Sequence, residues 1–575
     1  MKSGYKLEKS DYRFKYLFKK GDMRTLKWMY DVCKSQKYKV LLLIAVESIS
    51  AVLTVSFAKL SKDIINAATI DKSFDLVIKN SLYFVMVIGI QLALYVAERS
   101  TTERCRCRLE WILKQHTLET AIRKDYASVS KIHTGELQNR MFNDVLIIAD
   151  GFTTILPNVV YFVVKLIAAF AYLIIIDRIF AFIFLIGGCG VFLCTHLFRG
   201  VIKGLHKAVQ ETEGKTRSFI QEALTSLLVI KSFVVEDKIS DTADELQREN
   251  YKMKMKRRFF SISANAGINL IFNLGFVFAV AFGAYRIIFF GLSYGDVTAM
   301  IQLVTQIQSP FASLSSVLPR YFTLLASAER LMEIDDLPDE HNENEGEIDI
   351  DAAYEDLRCI NFKNISFSYD RDIILDDTSL EVDKGDFVAI MGISGIGKST
   401  LLKLLLGVFQ VDDGSIELEL DGENIPVDYT TRRMFSYVPQ GNFILSGSIY
   451  DNLTFINDDV TDEEINEAIR ISCSDEFINT LPDGLETVIG ERGVGLSEGQ
   501  LQRLAIARSL LAKAPIMLLD EATSALDEAT EKRFLENLKE LKTKTCIIVS
   551  HKRAALDICN KHVQIINSKI VTEEM

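Results

Sequence analysis

A glycine-rich segment carries the clearest chemical signal in the chain. It consists of Gly392, Ile393, Ser394, Gly395, Ile396, Gly397, Lys398, Ser399 and Thr400, with the Walker A spacing G-x-x-x-x-G-K-[ST]. An apolar run, 387–391, precedes it, and a helix-forming run, 401–406, follows it. Glycines allow backbone N–H groups to surround a phosphate, while Lys398 adds positive charge and Ser399 offers a hydroxyl to Mg²⁺. The segment therefore predicts a phosphate-binding loop between a strand and a helix.

Two adjacent carboxylates end a second apolar run. Residues 516–519 are all apolar, and Asp520 and Glu521 follow them directly. A buried strand of this kind delivers both carboxylates to its carboxyl end. After a phosphate-binding loop, Asp520 is the expected acid on the Mg²⁺ side and Glu521 the candidate general base that activates water.

A third motif shows which family the sequence resembles. Residues 496–500 are Leu-Ser-Glu-Gly-Gln, similar to the LSGGQ signature of ABC transporters. With the membrane spans described below, the whole chain resembles an exporter-type half-transporter. Glu498 stands where the family usually has Gly. The resemblance implies that Ser497 and the backbone around Gly499 contact the γ-phosphate, so we expect Glu498 to be tolerated. The alternative is that its carboxylate, close to the triphosphate, slows closure of the dimer.

The resemblance implies roles for further residues and two cofactors, ATP and Mg²⁺. Tyr369 resembles the aromatic that stacks on adenine, Gln440 the residue that senses Mg²⁺ and water, and His551 the residue that holds the γ-phosphate. The implied nucleotide contacts are Tyr369, residues 392–400, Ser497, Gly499, Gln500 and Asp527. The implied Mg²⁺ contacts are Ser399, Gln440 and Asp520, and the implied catalytic residues are Glu521, His551 and Gln440.

The motif count indicates that the chain needs a partner. It has one phosphate-binding loop and one signature, and in ABC proteins the signature of a second domain completes the site. Since this chain carries every catalytic element, two identical copies are favoured, while a heterodimer stays open. The resemblance also implies a lipid bilayer and a transported small molecule or peptide as partners.

Six apolar segments are candidate membrane spans. They are residues 38–60, 81–96, 154–176, 179–198, 262–289 and 297–318. Long, helix-rich connections follow the second and fourth spans, whereas two residues join the third and fourth. The long connections and the first 39 residues are rich in Lys and Arg. By the positive-inside rule, both termini and both long connections are expected in the cytoplasm.

The fold class that follows has two parts. We predict an α-helical transmembrane domain (1–325) whose six spans carry long cytoplasmic helical extensions. An acidic linker (326–357) then leads to an α/β P-loop NTPase domain with a helical subdomain (358–575). The segment 333–356 contains twelve Asp or Glu and no Lys or Arg, which favours a solvated linker.

Polar residues inside the spans give hints about cargo. Asn265, Asn269 and Asn273 share one helix face, and so do Gln302 and Gln306, extended by Ser309 and Ser313. Such stripes either join helices or line a cavity. Glu47 and Lys165 are ionisable residues within spans, which favours a functional role, either as a pair or facing the cavity.

Composition excludes several classes of protein. The net charge of −12 argues against a general nucleic-acid binder, and 49% hydrophobic residues argue against disorder. We therefore expect an ATP-driven exporter of an amphipathic or moderately polar substrate (drug, lipid or peptide) in the plasma membrane of a bacterium. An importer on the same scaffold and an ATP-gated channel or regulatory subunit remain the alternatives.

Overall fold

The computed structural model describes residues 20–340, 348–369, 372–393, 395–441, 444–457, 459–490, 495–541 and 544–574. The chain divides into two compact units. The first consists of Met1–Leu118 and Thr134–Asp335, and the second of Glu119–His133 and Asp336–Met575. The second unit thus includes a short piece of the long connection between the second and third predicted spans.

Helices make up nearly all of the described part of the first unit. Its helices are α1 (Lys20–Cys33), α2 (Lys37–Thr69), α3 (Phe74–Arg123), α5 (Thr134–Asn139), α6 (Val145–Asp150), α7 (Leu156–Ile176), α8 (Arg178–Thr225), α9 (Leu227–Phe233), α10 (Glu236–Phe290) and α11 (Tyr294–Asp335); α4 (Tyr126–Val129) belongs to the second unit. Two π-helical turns, Arg140–Asp144 and Gly151–Ile155, flank α6.

All six predicted spans fall within helices. They lie on α2, α3, α7, α8, α10 and α11. Four helical stretches among the described residues have the length and apolar composition to cross a membrane: Met23–Thr69, Phe74–Arg123, Thr134–Ile176 and Glu236–Phe290. Helix α3 has 50 residues, about 75 Å at 1.5 Å per residue, and a bilayer core needs only about 30 Å. The long helices therefore continue well beyond the apolar segments, as the helix-rich connections predicted.

Ionic and polar contacts fasten the helices to one another. Asp177, in the two-residue connection, caps α8 by accepting a hydrogen bond from Phe180 N–H (2.9 Å) and forms an ion pair with Arg286 of α10. Gln302 donates to Ser61 Oγ (3.1 Å), and Gln306 donates to the carbonyl oxygen of Thr54 (3.0 Å). The amides on this stripe therefore join α11 to α2.

The other polar positions singled out in the spans have different surroundings. Asn265, Asn269 and Asn273 are exposed on α10 in the single chain. Ser313 is half-buried, and the side chain of Ser309 lies outside the described residues. Lys165 is buried with Nζ 5.6 Å from the centre of the Tyr161 ring.

The second unit is built on two main sheets. The antiparallel sheet has the order β2-β1-β4-β5, and the larger sheet has the order β12-β11-β3-β10-β9-β6. In the larger sheet β11, β3, β10, β9 and β6 are parallel, and β12 pairs antiparallel with β11. The strands are β1 (Leu357–Tyr369), β2 (Asp372–Asp383), β3 (Phe387–Met391), β4 (Asp413–Leu420), β5 (Glu423–Pro426), β6 (Phe435–Val438), β7 (Gly447–Ser448), β8 (Val488–Ile489), β9 (Ile516–Asp520), β10 (Thr545–Val549), β11 (Lys561–Ile566) and β12 (Lys569–Glu574).

Helices cover the parallel sheet and form a separate helical core. They are α12 (Ile350–Glu355), α13 (Lys398–Leu405), α14 (Ile449–Thr454), α15 (Asp462–Ile471), α16 (Asp475–Ile478), α17 (Glu498–Leu511), α18 (Glu528–Glu540) and α19 (Arg553–Ile558). Strands β9 and β10 are buried along their whole length, as their continuous apolar sequence requires. Ile449, Ile465, Phe477 and Leu504 belong to one apolar cluster that joins α14, α15, α16 and α17, and this cluster is the core of the helical subdomain.

Candidate functional site

The glycine-rich loop and the predicted catalytic residues follow four neighbouring parallel strands. The glycine-rich loop follows β3, the two carboxylates end β9, His551 follows β10, and Gln440 follows β6. Because parallel strands end at the same edge of a sheet, these side chains converge there.

The glycine-rich loop requires glycine at its last turn. Gly397 has φ +113° at the N-cap of α13, and a Cβ atom there would collide with the side chain of Ile374. Lys398 is buried, and its Nζ donates to the carbonyl oxygens of Gly392 (2.7 Å) and Ile393 (3.2 Å). The lysine charge is therefore held inside the curve of the loop.

Ser399 and Asp520 lie together, as the predicted Mg²⁺ contacts require. Ser399 Oγ donates to Asp520 Oδ1 (3.0 Å), and Tyr437 OH donates to Asp520 Oδ2 (3.1 Å). Burial raises the pKa of Asp520, which the two hydrogen bonds oppose. Burial, and then the adjacent carboxylate, also raise the pKa of Tyr437, so the phenol keeps its proton and remains a donor. A hydroxyl and a carboxylate are oxygen ligands of the kind that Mg²⁺ prefers, so this arrangement fits the ion.

Glu521 occupies a backbone conformation that is unusual for its residue type. Its φ is +51°, and its N–H donates to the carbonyl oxygen of Val549 on the neighbouring strand (3.1 Å). Gln440 Nε2 donates to Glu521 Oε2 (2.8 Å). The turn after β9 thus directs the Glu521 carboxylate towards the loop after β6, away from Asp520, which stays at the strand end.

His551 meets the glycine-rich loop from the other side. Its Nε2 lies 3.0 Å from Nζ of Lys398 and accepts its hydrogen bond. The histidine is exposed, while the lysine is buried. His551 therefore lies beside Lys398, where a side chain that donates to a terminal phosphate would be needed.

Tyr369 belongs to an aromatic cluster. Its ring meets Phe367 (4.9 Å) and Phe409 (5.4 Å) edge to face, and Tyr126 of α4 packs on Phe409 (5.8 Å). The Tyr369 hydroxyl lies 3.5 Å from Thr400 Oγ1, one residue beyond Ser399. The cluster brings the predicted adenine-stacking ring to the glycine-rich loop, and Phe409 and Tyr126 are members that the motifs did not reveal.

The signature begins helix α17 with a capping box. Ser497 Oγ accepts from Gln500 N–H (3.3 Å), and the Gln500 side chain accepts from Ser497 N–H (2.8 Å). Glu498 is exposed in the first turn, where its charge complements the helix dipole. A Cβ at Gly499 would lie 2.8 Å from the carbonyl oxygen of Ala525, so close approach explains the glycine. Among the described residues, no hydrogen bond joins Ser497 or Gln500 to the glycine-rich loop.

Gln502 is a positioning residue that the sequence reasoning missed. It is buried, and its side chain donates to Ser524 Oγ (2.8 Å) and accepts from Ala525 N–H (2.9 Å). These bonds fix the segment before Asp527 onto the signature helix. Both carboxylate oxygens of Asp527 accept bonds from Thr530 at the start of α18. Its predicted contact with nucleotide stays a prediction.

The structure therefore brings together a subset of the predicted residues through direct contacts. These are Gly392, Ile393, Lys398, Ser399, Thr400, Tyr369, Gln440, Asp520, Glu521 and His551. Ser394 lies outside the described residues. Gly395 has φ +82°, and Ile396 packs against the apolar core beneath the loop.

Comparisons with known proteins agree with this geometry. Residues 39–311 match the family model for the ABC transporter transmembrane region, and residues 375–524 match the model for the ABC transporter. An export ATP-binding/permease protein of Rickettsia felis is 35% identical over 368 residues, which is 62% of each chain. A multidrug export ATP-binding/permease protein of Staphylococcus aureus is 29% identical over 509 residues, covering 85% of this chain and 86% of the relative.

A solved structure shares the fold. A bacterial Atm1-family ABC exporter with ATP bound superposes with a TM-score of 0.79 at 23% identity, covering 94% of this chain and 95% of the other. The two family models match consecutive parts of the chain in the order expected for a membrane region fused to an ATPase domain. The chain therefore belongs to the ABC transporter family, as an exporter-type half-transporter that couples ATP hydrolysis to transport across a membrane.

Proposed function

We propose that two identical copies of this chain form an exporter with two ATP sites, each completed by the signature of the other copy. The observation that carries the proposal is the contact set at the sheet edge. Lys398, His551, Ser399, Asp520, Gln440 and Glu521 meet there, while Ser497 and Gln500 bond to each other. One chain thus offers a nucleotide site and a separate helix N-terminus suited to phosphate.

Each residue around the phosphates has a distinct task in this proposal. Lys398 leaves the loop carbonyls of Gly392 and Ile393 to bind the β- and γ-phosphates. Ser399 and Asp520 would hold Mg²⁺, with Gln440 near it, and the bound ion would neutralise phosphate charge. Glu521 accepts the proton of the attacking water, because its carboxylate lies at the strand end beside Gln440.

The remaining predicted contacts bind and orient the nucleotide. Tyr369 stacks on adenine. Once Lys398 has turned away, His551 protonated at Nε2 donates to the γ-phosphate. The backbone N–H groups of the loop 392–400 surround the phosphates. From the partner copy come Ser497, Gly499 and Gln500 at the N-terminus of α17, and Asp527 before α18.

Location and cargo follow from the membrane half. We assign 1–325 to the transmembrane domain, 326–357 to the linker and 358–575 to the nucleotide-binding domain. Both termini lie in the cytoplasm of a bacterial cell, by the positive-inside rule. Export of an amphipathic or moderately polar molecule is favoured because two relatives are described as export proteins, one of them as a multidrug exporter.

ATP hydrolysis by the purified chain in lipid nanodiscs tests the two-site homodimer. Wild-type protein should hydrolyse ATP, and Glu521→Gln should lower the rate at least about 100-fold because the base is lost while ATP still binds. Glu528→Gln, on the first turn of α18, is the matched control and should keep the wild-type rate. An inactive wild-type chain that becomes active only with a second, different subunit would overturn the homodimer.

The direction of transport needs a separate measurement. ATP added to the nucleotide-binding side of vesicles should drive substrate away from that side. Accumulation on the nucleotide-binding side would identify an importer. An ion current without stoichiometric ATP use would identify a channel instead.

A further inference from the structure

Arg432 binds the end of the helix that follows the glycine-rich loop. It begins a short 3-10 turn that leads directly into β6. Its Nε donates to the carbonyl oxygen of Leu406 (2.8 Å), and its Nη2 donates to that of Gly407 (3.2 Å). These carbonyls follow the last residue of α13, where a helix leaves acceptors unsatisfied and a positive side chain is favourable. Arg432 therefore holds the far end of the helix that begins at Lys398.

The third partner of Arg432 is Glu340, which lies between α11 and α12 in the chain. Arg432 Nη2 donates to Glu340 Oε1 (2.9 Å), and both side chains are half-buried. Water and salt screen such an ion pair less than an exposed one. Glu340 comes shortly after Asp335, the last residue of α11, and α11 carries the sixth predicted span. The ion pair thus connects α13 to the chain segment that leaves α11.

The backbone around Glu340 also pairs with the end of α3. Residues 338–340 and 123–125 are joined by two backbone hydrogen bonds (3.0 and 3.1 Å), and the N–H of Glu340 donates one of them. Between these bonds, Lys124 and Asp339 form an antiparallel bridge, and their side chains form an ion pair (2.8 Å). All of these residues belong to the second unit. The segments that leave α3 and α11 therefore meet at Glu340.

This connection differs from the one that α4 makes. The α4 contact runs through Tyr126 and Phe409 to the ring of Tyr369, on the side proposed for adenine. The Arg432 connection instead reaches α13, whose first residue, Lys398, is on the side proposed for phosphate. The second unit thus has two separate contacts with the region after α3, and the one through Arg432 leads to the phosphates.

We propose that Arg432 and Glu340 are positioning residues that couple occupancy of the phosphate site to α3 and α11. When Lys398 binds phosphate, α13 shifts with it, and Arg432 passes that shift to Glu340 and the paired segments. Hydrogen-bond networks and rigid elements carry coupling of this kind. Within the described part of the chain, neither side chain forms a hydrogen bond with an ATP-site residue, so the chemistry of hydrolysis does not require them.

The two tryptophans of the chain provide a reporter of this coupling. Trp28 and Trp111 both belong to the first unit, and the sequence of the second unit contains no tryptophan. Trp28 Nε1 donates to Asp335 Oδ2 (2.6 Å) at the end of α11. Trp111 lies on α3, with the Arg108 guanidinium 3.8 Å from its ring centre. Tryptophan emission therefore reports on α3 and α11 without a label.

Emission from the full chain in nanodiscs, with a scaffold protein that lacks tryptophan, tests the proposal. ATP and Mg²⁺ are added in the Glu521→Gln background, which keeps ATP bound, and emission is excited where ATP does not absorb. ATP should change the emission of the chain with native Arg432 and Glu340. Glu340→Ala and Arg432→Ala should each reduce that change at least about fivefold. No response to ATP with the native pair, or an undiminished response in both variants, overturns the proposal.

A purely structural role for the pair predicts a different pattern. In the positioning role, ATP affinity and the basal hydrolysis of chains that retain Glu521 should stay within about twofold in both variants. Parallel losses of ATP affinity and of the emission response would contradict that role. Glu419→Ala is the matched control, since it removes an ion pair with Arg358 (3.0 Å) elsewhere in the second unit. It should keep the full response and the wild-type hydrolysis rate.

A double variant tests whether the two side chains act in one connection. Glu340→Ala combined with Arg432→Ala should respond to ATP as Arg432→Ala alone does, because removing either partner already breaks the contact. Independent, additive losses would contradict a shared connection.

Failure of this inference is distinguishable from failure of the two-site exporter. The contacts lie within one chain, so the assignment holds for a homodimer and for a heterodimer. A chain that hydrolyses ATP, loses hydrolysis in Glu521→Gln and responds equally with and without Glu340 retains its proposed function and lacks this connection. A chain that needs a different second subunit, and whose response still depends on Glu340, overturns the homodimer and supports the connection.

Discussion

Tyr437 is a side chain whose contribution to the ATP site can be isolated. Its hydroxyl supplies one of the two protein hydrogen bonds to the buried Asp520 carboxylate, and Ser399 supplies the other. Tyr437→Phe removes only that hydroxyl. We expect the Mg²⁺ concentration for half-maximal ATP hydrolysis to rise about tenfold, because a hydrogen bond to a charged group contributes about 1.5–3 kcal/mol.

The measurement for Tyr437 is a Mg²⁺ titration, supported by binding of Mn²⁺ together with nucleotide followed by electron paramagnetic resonance. Tyr450→Phe removes a hydroxyl from α14, outside the ATP site, and serves as the control. A changed maximal rate with the same Mg²⁺ dependence would show that Tyr437 supports the fold and does not position Asp520.

Motifs identify functional residue types better than they identify the partners of those residues. Lys398, Ser399 and Asp520 were predicted from spacing, since chemistry restricts what a phosphate or Mg²⁺ site can use. Tyr437 and Gln502 were not predicted to hold Asp520 and the segment before Asp527. From the sequence alone, neither side chain differs from other residues of its strand or helix, because the hydrogen-bond partner lies on a neighbouring element.

Helices α15 and α17 begin with the same capping arrangement but differ in proposed function. Thr461 and Glu464 cap α15, whereas Ser497 and Gln500 cap α17. Thr461→Ala and Ser497→Ala should each destabilise the nucleotide-binding domain by about 1 kcal/mol through the lost cap. Only Ser497→Ala should also lower ATP hydrolysis, by about 100-fold, since it removes a phosphate contact as well.

The pair of capping variants separates stability from chemistry. Thermal unfolding reports the cap, and steady-state hydrolysis at saturating ATP reports the phosphate contact. Equal losses of hydrolysis in Thr461→Ala and Ser497→Ala would mean that Ser497 acts only through the helix it begins.

Element positions were more predictable than element details. Long apolar runs located helices at all six predicted spans, because the bilayer leaves few alternatives to a helix. The two π-helical turns beside α6 were not predicted, because each has only 5 residues, too few for a change of helical period to be recognised. The aromatic contact between Tyr126 and Phe409 was equally hidden, because residues nearly 300 positions apart share no local pattern.

The proposed dimer makes a prediction about mixed assemblies. Lys398→Ala disables the phosphate-binding loop, and Ser497→Ala disables the signature, so each variant alone should be inactive. A purified dimer with one copy of each has one site with both defects and one intact site. It should recover hydrolysis, up to about half of the wild-type rate, because the signature acts on the opposite copy.

Two different affinity tags allow the mixed dimer to be isolated and its rate compared with both single-variant dimers. If the signature served the loop of its own chain, both sites of the mixed dimer would be defective. A mixed dimer as inactive as its parents would therefore contradict an ATP site shared between copies.

The left-handed backbone at Glu521 has a practical consequence for engineering. A non-glycine residue with φ near +51° carries roughly 1–2 kcal/mol of strain that glycine would not. A screen that selects variants by heat resistance alone would favour glycine at position 521. Such a screen would enrich transporters that are more stable to heat but lack the Glu521 carboxylate and no longer hydrolyse ATP.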